Sequence, residues 1–190
     1  MTDDPSERPL RTPRLLLRCY RISDAPLLKH AIDSSLDHLR PWMPWMLNEP
    51  SPLSDIEARL GTFREQFMAG RDWVFGIFAP GEEEVLGGTG LHPRIGPDAL
   101  EIGYWLRADV TGRGLATEAI SALTSAGLTT FGAKRIEIRC DPRNLRSMGV
   151  PRRLGYRHVQ TLIGDTFTPA GVVRDTMVWA QGERGLPPDS

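Results

Sequence analysis

Apolar residues recur along the chain at two spacings, one typical of amphipathic helices and the other of short buried strands. The helical spacing predicts four helices, which lie after Ser23-Asp24, after Ser54, over residues 115–131 and over residues 144–154. Ser54 and Glu57 have the sequence of a capping box, which predicts that the second helix begins at Ser54. Pro26 falls in the first turn of the first helix, where a proline is tolerated.

The strand-like segments are short and apolar, and they cover residues 15–20, 73–78, 85–91, 100–106, 135–140, 156–163 and 172–180. Short turns separate the second, third and fourth segments, which predicts an antiparallel meander. Four prolines interrupt residues 41–52, so an irregular loop is expected there, and residues 1–13 and 181–190 are expected to be polar tails. The order of helices and strands predicts a mixed α/β (α+β) fold with one sheet.

Composition narrows the function classes. The length of 190 residues favours one domain, with residues 10–180 as its core. The formal net charge of −1 argues against a general nucleic-acid binder, which needs a basic surface. We find no apolar run of the roughly 20 residues that span a membrane, and the acidic first residues do not resemble a signal peptide. Two distant cysteines and four histidines without ligand spacing predict no metal site. A soluble, cytoplasmic protein is expected.

A glycine-containing turn between the strand over 100–106 and the next helix is the first candidate for chemistry. Gly112 and Gly114 leave room for a ligand close to the backbone, and the following amides lie at a helix N-terminus, which suits a phosphate or pyrophosphate. The segment is not a Walker loop, and it lacks the third glycine of a dinucleotide fingerprint. A plain strand-to-helix turn is the alternative.

A second candidate segment runs from Asp141-Pro142-Arg143-Asn144 through Ser147 to Leu154-Gly155-Tyr156. Asn144 and Ser147 lie near a predicted helix start, where an ordinary N-cap is the alternative to a binding role. Together the two segments resemble the GNAT superfamily of acyl-CoA-dependent N-acyltransferases. The stretch from Thr111 to Ala116 matches the family signature Gln/Arg-x-x-Gly-x-Gly/Ala except at Thr111.

The resemblance extends from Leu10 to Ala180 and is stronger for one branch, the bacterial ribosomal-protein N-terminal acetyltransferases. It rests on Leu10-Arg11-Thr12-Pro13-Arg14-Leu15, the loop from Leu39 to Trp45, the strand Glu101-Ile102-Gly103-Tyr104-Trp105-Leu106, and the segment from Gly171 to Asp175. It implies a mostly antiparallel sheet of about seven strands, flanked by about four helices and splayed between its two central strands.

The resemblance implies direct transfer of an acetyl group from acetyl-CoA to an amine in a ternary complex. The pyrophosphate would sit on the backbone amides of Arg113, Gly114, Leu115, Ala116 and Thr117, and Thr111 and Gly112 of the same signature belong to the cofactor site. The Arg113 side chain is a further candidate to contact phosphate, with an exposed arginine as the alternative. The pantetheine would run beside Tyr104, Trp105 and Leu106, where the amide of Leu106 is a candidate to polarise the thioester carbonyl, and Asn144 and Ser147 would also contact the cofactor.

The resemblance also implies catalytic roles. Glu101 is the candidate base, acting through water, and Ser147 is the candidate acid or hydrogen-bond donor to the departing thiolate. His92 is a weaker base candidate at the substrate side, and Trp42 and Trp45 are candidates for the acceptor pocket. The alternatives are a solvent-facing glutamate, a structural histidine and a loop that packs over the core.

Three functions stay open from the sequence. The first is acetylation of a protein N-terminus, whose α-amine has a pKa of about 7.7–8.0, against roughly 10.4 for lysine, and is therefore more easily neutral. The second is acetylation of a small-molecule amine, and the third is a non-catalytic acyl-CoA sensor. No direct nucleic-acid or membrane partner is expected, and the resemblance also suggests a homodimer.

Overall fold

The computed structural model describes residues 9–168 and 170–182. In this part of the chain the strands are β1 (Leu10–Arg11), β2 (Leu16–Cys19), β3 (Trp73–Phe78), β4 (Val85–His92), β5 (Ala99–Leu106), β6 (Arg135–Cys140), β7 (Arg157–Phe167) and β8 (Val173–Gly182). The α-helices are α1 (Ala25–Asp33), α2 (Leu36–Leu39), α3 (Leu53–Met68), α4 (Leu115–Thr129) and α5 (Leu145–Arg153). Short 3₁₀ turns cover Ile22–Asp24, Pro44–Asn48 and Ala108–Val110.

All eight strands form one sheet in the order β1-β2-β3-β4-β5-β6-β8-β7. Every pair is antiparallel except β5 with β6. The β5–β6 ladder ends at the pair Ile102–Ile138, although both strands continue. The backbone from Tyr104 to Leu106 therefore has no β6 partner among the described residues. The predicted mixed, mostly antiparallel sheet with a central splay is confirmed.

The two faces of the sheet pack against different helices. One face packs against α4 and α5, and Ile102 of β5 and Leu123 of α4 belong to the same buried cluster. The opposite face packs against α1 and α3 in a second cluster, and Trp105 lies at its edge. Because side chains alternate along a strand, Tyr104 and Trp105 project to opposite faces at the splay. No helix in the described part is long and apolar enough to cross a membrane.

The structure corrects several boundaries. The predicted capping box at Ser54 is wrong, because α3 begins at Leu53 after Pro52 and no side chain caps it. The described residues form eight strands and five α-helices where about seven and four were predicted, because β1 forms inside the predicted tail and pairs with β2, and α2 forms a single extra turn. Residues 1–8 and 183–190 of the predicted tails lie outside the described residues.

Candidate active site

A cavity of about 840 Å³ opens at the splay between β5 and β6. Its lining residues come from the α2 region, the end of β5, the glycine turn and α5. They are His38, Leu39, Trp42, Met43, Tyr104, Trp105, Leu106, Thr111, Gly112, Gly114, Leu115, Ala116, Thr117, Arg143, Asn144, Leu145, Arg146, Ser147, Val150 and Arg153. Most of the predicted cofactor residues are thus brought to one cavity, although they come from three separate segments.

The glycine turn places free backbone donors on the wall of this cavity. Gly112 and Gly114 have φ values of 77° and 78°, a region that favours glycine. No side chain caps α4, so the first-turn amides of Leu115, Ala116 and Thr117 have no partner within the helix. A helix N-terminus of this kind favours an anion. The site therefore fits the pyrophosphate of a CoA molecule.

The side chains of Thr111 and Arg113 make local contacts with the preceding 3₁₀ turn. The Thr111 hydroxyl donates a 2.9 Å hydrogen bond to the carbonyl of Ala108, which closes the preceding 3₁₀ turn. The Arg113 guanidinium donates a 3.0 Å hydrogen bond to the carbonyl of Asp109, and Arg113 does not line the cavity. The backbone of the turn, rather than these two side chains, therefore presents the donors to the cavity.

The start of α5 holds Ser147 beside Tyr104. The side-chain oxygen of Asn144 accepts a 3.1 Å hydrogen bond from the Ser147 amide, so Asn144 is the N-cap of α5, which the sequence left open as an alternative. The Tyr104 hydroxyl lies 2.9 Å from both the carbonyl oxygen and Oγ of Ser147. Pro151 lies four residues beyond Ser147 inside the helix and has no N–H. The Ser147 carbonyl, which would otherwise accept that N–H, is therefore left for Tyr104.

Tyr104 and Ser147 place two hydroxyl groups side by side on the cavity wall. Burial raises the pKa of Tyr104, although the hydrogen bond with Ser147 opposes the shift. Tyr104 thus keeps its proton at neutral pH, and the Ser147 carbonyl can only accept it. When Tyr104 donates to that carbonyl, the Ser147 hydroxyl can donate either to Tyr104 or to a ligand in the cavity.

Glu101 lies on β5 but does not line the cavity. Its side chain is largely buried, and Arg94 donates to both of its oxygens at 2.6 and 3.2 Å. Arg139 of β6 approaches to 3.8 Å. Both carboxylate oxygens therefore already accept charged hydrogen bonds, and a water molecule would have to share them.

His92 pairs with Glu101 across the β4–β5 ladder. Its Nδ1 lies 2.6 Å from an oxygen of Asp72, so the Asp72 carboxylate fixes the orientation of the ring. The ring lies over two glycines, because a Cβ at Gly90 would be 2.7 Å from His92 Nε2 and one at Gly103 would be 3.6 Å away. His92 is not a lining residue of the cavity at the splay.

The two tryptophans of the predicted acceptor loop take different places. Trp42 lines the main cavity and also a second, neighbouring cleft of about 620 Å³. Trp45 packs edge-on against Trp105 at 5.8 Å between ring centroids and lines neither. Arg143 also borders both spaces, and Asp141 holds it through hydrogen bonds of 3.0 and 2.7 Å. The Arg143 hydrogen bond in turn lowers the pKa of Asp141.

The sequence interpretation missed several lining residues. Arg146, Val150 and Arg153 recur along α5 at intervals of four and three residues, so helical spacing from the start of α5 would have found them. Arg153 Nε donates a 3.1 Å hydrogen bond to the Thr117 hydroxyl and so joins α5 to the first turn of α4. His38 had no sequence signal; burial and the nearby Arg146 lower its pKa.

Comparison with known proteins places the chain in a family. Residues 14–157 match the model of the acetyltransferase (GNAT) domain. The chain therefore belongs to the GNAT acetyltransferase family and is an acetyl-CoA-dependent N-acetyltransferase. This agrees with the splayed sheet and the uncapped helix N-terminus at the cavity.

Its relatives include enzymes named for ribosomal proteins. The chain is 30% identical over 149 residues to the ribosomal protein uS5-alanine N-acetyltransferase of Escherichia coli (strain K12), and the match covers 77% of each chain. RimJ of Mycobacterium smegmatis, solved with CoA-disulfide, has a TM-score of 0.81 at 26% identity and covers 96% of this chain and 89% of that one. RimL, a ribosomal L7/L12 alpha-N-protein acetyltransferase solved with coenzyme A, has a TM-score of 0.83 at 20% identity, with coverages of 92% and 98%, and supports the fold alone.

Proposed function

We propose that this acetyltransferase acts on the N-terminal α-amine of a protein, through one domain that covers about residues 10–180. The proposal rests on the second cleft, which shares Trp42 and Arg143 with the cavity at the splay. Because that cavity contains the proposed CoA site, we call it the cofactor cavity. A peptide whose amine enters at Trp42 has room there for the residues that follow, since 620 Å³ is within the range of ligand pockets. The similarity to an enzyme named for the alanine of uS5 supports the same acceptor class.

In this proposal, separate groups of residues bind the cofactor, polarise the thioester and assist the departing thiolate. Acetyl-CoA supplies an activated acetyl group as a thioester. The amides from Gly112 to Thr117 hold the pyrophosphate, and the unpaired end of β5 holds the pantetheine, where the Leu106 amide polarises the thioester carbonyl. Ser147 donates a hydrogen bond or proton to the departing thiolate, and Asn144 fixes the backbone of Ser147.

The acceptor must reach the carbonyl as a neutral amine. An α-amine loses its proton more readily than a lysine side chain, so the proposed substrate can be deprotonated by a weaker base. Glu101 receives the proton through water in this proposal, and Arg94 holds its carboxylate in place. A cytoplasmic location and a homodimer belong to the same proposal.

The acceptor is tested with matched peptides. Thiol release and mass spectrometry would compare a peptide that begins with alanine or serine, the same peptide with a blocked α-amine and an internal lysine, and small amines such as a polyamine. We expect acetylation at the free α-amine alone. Turnover of only the small amines, or of only the lysine, would overturn the proposed acceptor.

A variant of the second cleft tests the peptide path. Leu47 lines that cleft, is 66% exposed and lies outside the cofactor cavity. Leu47→Asp should therefore raise the KM for the peptide and leave the KM for acetyl-CoA unchanged. Ile22→Asp, which places the same charge at another exposed apolar residue, is the matched control. A peptide KM that is unchanged in Leu47→Asp would remove the cleft from the acceptor path.

A further inference from the structure

The carboxylate of Glu118, in the first turn of α4, is enclosed by the turn between β1 and β2. Its Oε1 accepts hydrogen bonds from the Thr12 hydroxyl at 2.6 Å and from the Arg14 amide at 3.0 Å. Its Oε2 accepts from Arg14 Nε at 2.6 Å, and a second guanidinium nitrogen is equally close. Glu118 thereby fixes the Arg14 side chain with two charged contacts.

The remaining nitrogen of the Arg14 guanidinium reaches the glycine turn. It donates a 2.9 Å hydrogen bond to the carbonyl oxygen of Arg113. In a trans peptide the carbonyl and the following N–H point in opposite directions. Holding the Arg113 carbonyl toward Arg14 therefore directs the Gly114 N–H away from Arg14, and Gly114 lines the cavity while Arg14 does not.

The turn needs such a support because its own residues restrain it weakly. Gly112 and Gly114 both have positive φ values, and glycine has the widest conformational freedom of any residue. A Cβ at Gly112 would meet no atom within 4 Å, so that side of the residue faces open space. The contact from Arg14 to the Arg113 carbonyl supplies an external restraint between the two glycines.

We propose that Arg14, held by Glu118, is a positioning residue that aims the Gly114 N–H of the glycine turn at the pyrophosphate of the bound CoA. This inference rests on the proposed pyrophosphate site. Arg14 acts through geometry in this proposal, because the carboxylate of Glu118 lies against its guanidinium and offsets its charge.

Ligands with and without the pyrophosphate separate this role from a general structural one. Calorimetry would measure the Kd of CoA and of dephospho-CoA, which keeps the pyrophosphate, for the wild type, Arg14→Ala, Arg14→Lys and Glu118→Gln. Both ligands should bind about tenfold more weakly to Arg14→Ala, the factor expected for one hydrogen bond. Turnover with acetyl-pantetheine, which has no pyrophosphate, should match the wild type. Arg14→Lys keeps the charge and should still bind both ligands more weakly.

Arg21→Ala is the matched control, because Arg21 is an exposed arginine that pairs with Glu82 away from the turn. Its Kd for CoA should be that of the wild type. If the wild type does not bind CoA, the proposed site fails and this inference fails with it. If the wild type binds CoA and Arg14→Ala binds it equally well, or if acetyl-pantetheine turnover falls as far as CoA affinity, only the positioning role is overturned. Glu118→Gln, a milder change, keeps the test valid if Arg14→Ala does not fold.

Discussion

The hydroxyl of Tyr104 lies 2.9 Å from Oγ of Ser147 and 2.9 Å from its carbonyl oxygen. The carbonyl is open to this contact because Pro151, one helical turn further on, has no N–H to donate. A strand residue and a helix residue thus share a polar contact at the cofactor cavity. With its proton donated to that carbonyl, the Tyr104 hydroxyl can accept a hydrogen bond from the Ser147 hydroxyl and so hold the Ser147 side chain in place.

Removal of either hydroxyl is predicted to slow the reaction. Ser147→Ala should lower kcat by about 10- to 100-fold, since it removes the proposed donor to the thiolate. Tyr104→Phe should lower kcat by about tenfold, because it frees the Ser147 side chain. Steady-state kinetics give kcat, and calorimetry should show a nearly unchanged Kd for CoA. An unchanged kcat in Ser147→Ala would contradict the role given to Ser147.

Substitution of Pro151 is predicted to move stability and activity in opposite directions. Pro151→Ala supplies an N–H that competes with Tyr104 for the Ser147 carbonyl. The restored helical hydrogen bond should raise the free energy of unfolding by about 1 kcal/mol. The loosened Tyr104 should lower kcat. Urea unfolding and steady-state kinetics on the same sample test both, and a variant with higher stability and full activity would show that the carbonyl contact does not assist Ser147.

Three groups near the site can be compared as the base. Glu101→Gln should lower kcat by about 100-fold with little change in the Kd for CoA, if Glu101 receives the proton through water. His92→Gln and His38→Gln should have smaller effects on kcat. The dependence of kcat/KM on pH, measured for all three variants, shows which substitution removes the acidic limb. Loss of that limb in either histidine variant, with Glu101→Gln unaffected, would transfer the role to that histidine.

Acid should weaken the contact between α4 and the N-terminal strands. Burial opposes ionisation of Glu118, but the hydrogen bonds from Thr12 and Arg14 outweigh it and lower the pKa of the carboxyl. A carboxylate with a lower pKa in the folded protein adds stability above its unfolded-state pKa of about 4.3, and this stability is lost as the pH falls through the folded-state pKa.

The free energy of unfolding should therefore decrease below about pH 4, and Glu118→Gln should make that decrease shallower. Urea unfolding at pH 7, 5, 4 and 3 measures it. Glu57→Gln, at an exposed glutamate of α3, is the matched control. An equal slope in the wild type and in Glu118→Gln would show that the Glu118 cluster does not contribute to acid sensitivity.

Local patterns determined the elements and the family. Apolar spacing located the strands of the meander and the helices α1, α3, α4 and α5, because the burial of one face leaves a period in the sequence. The glycines at 112 and 114 and the Asn144-to-Ser147 spacing identified the two segments that line the cavity, because tight turns and helix starts need particular residues. The capping box failed because α3 begins at Leu53, directly after Pro52, so Ser54 already lies inside the helix.

Only the tertiary structure determines which side chains and backbone groups contact each other at the site. Tyr104 and Ser147 are 43 residues apart, and Arg14 and Arg113 are 99 apart, so no local period connects them. The missing N–H of Pro151 leaves the Ser147 carbonyl without a helical donor, and only the tertiary structure brings Tyr104 to that carbonyl. The sequence offered Arg113 and Glu101 as candidates for the cofactor site and the base, and only the tertiary structure shows that their side chains contact Asp109 and Arg94. A sequence shows which groups a chain carries, but the partners of those groups depend on how strands and helices meet in space.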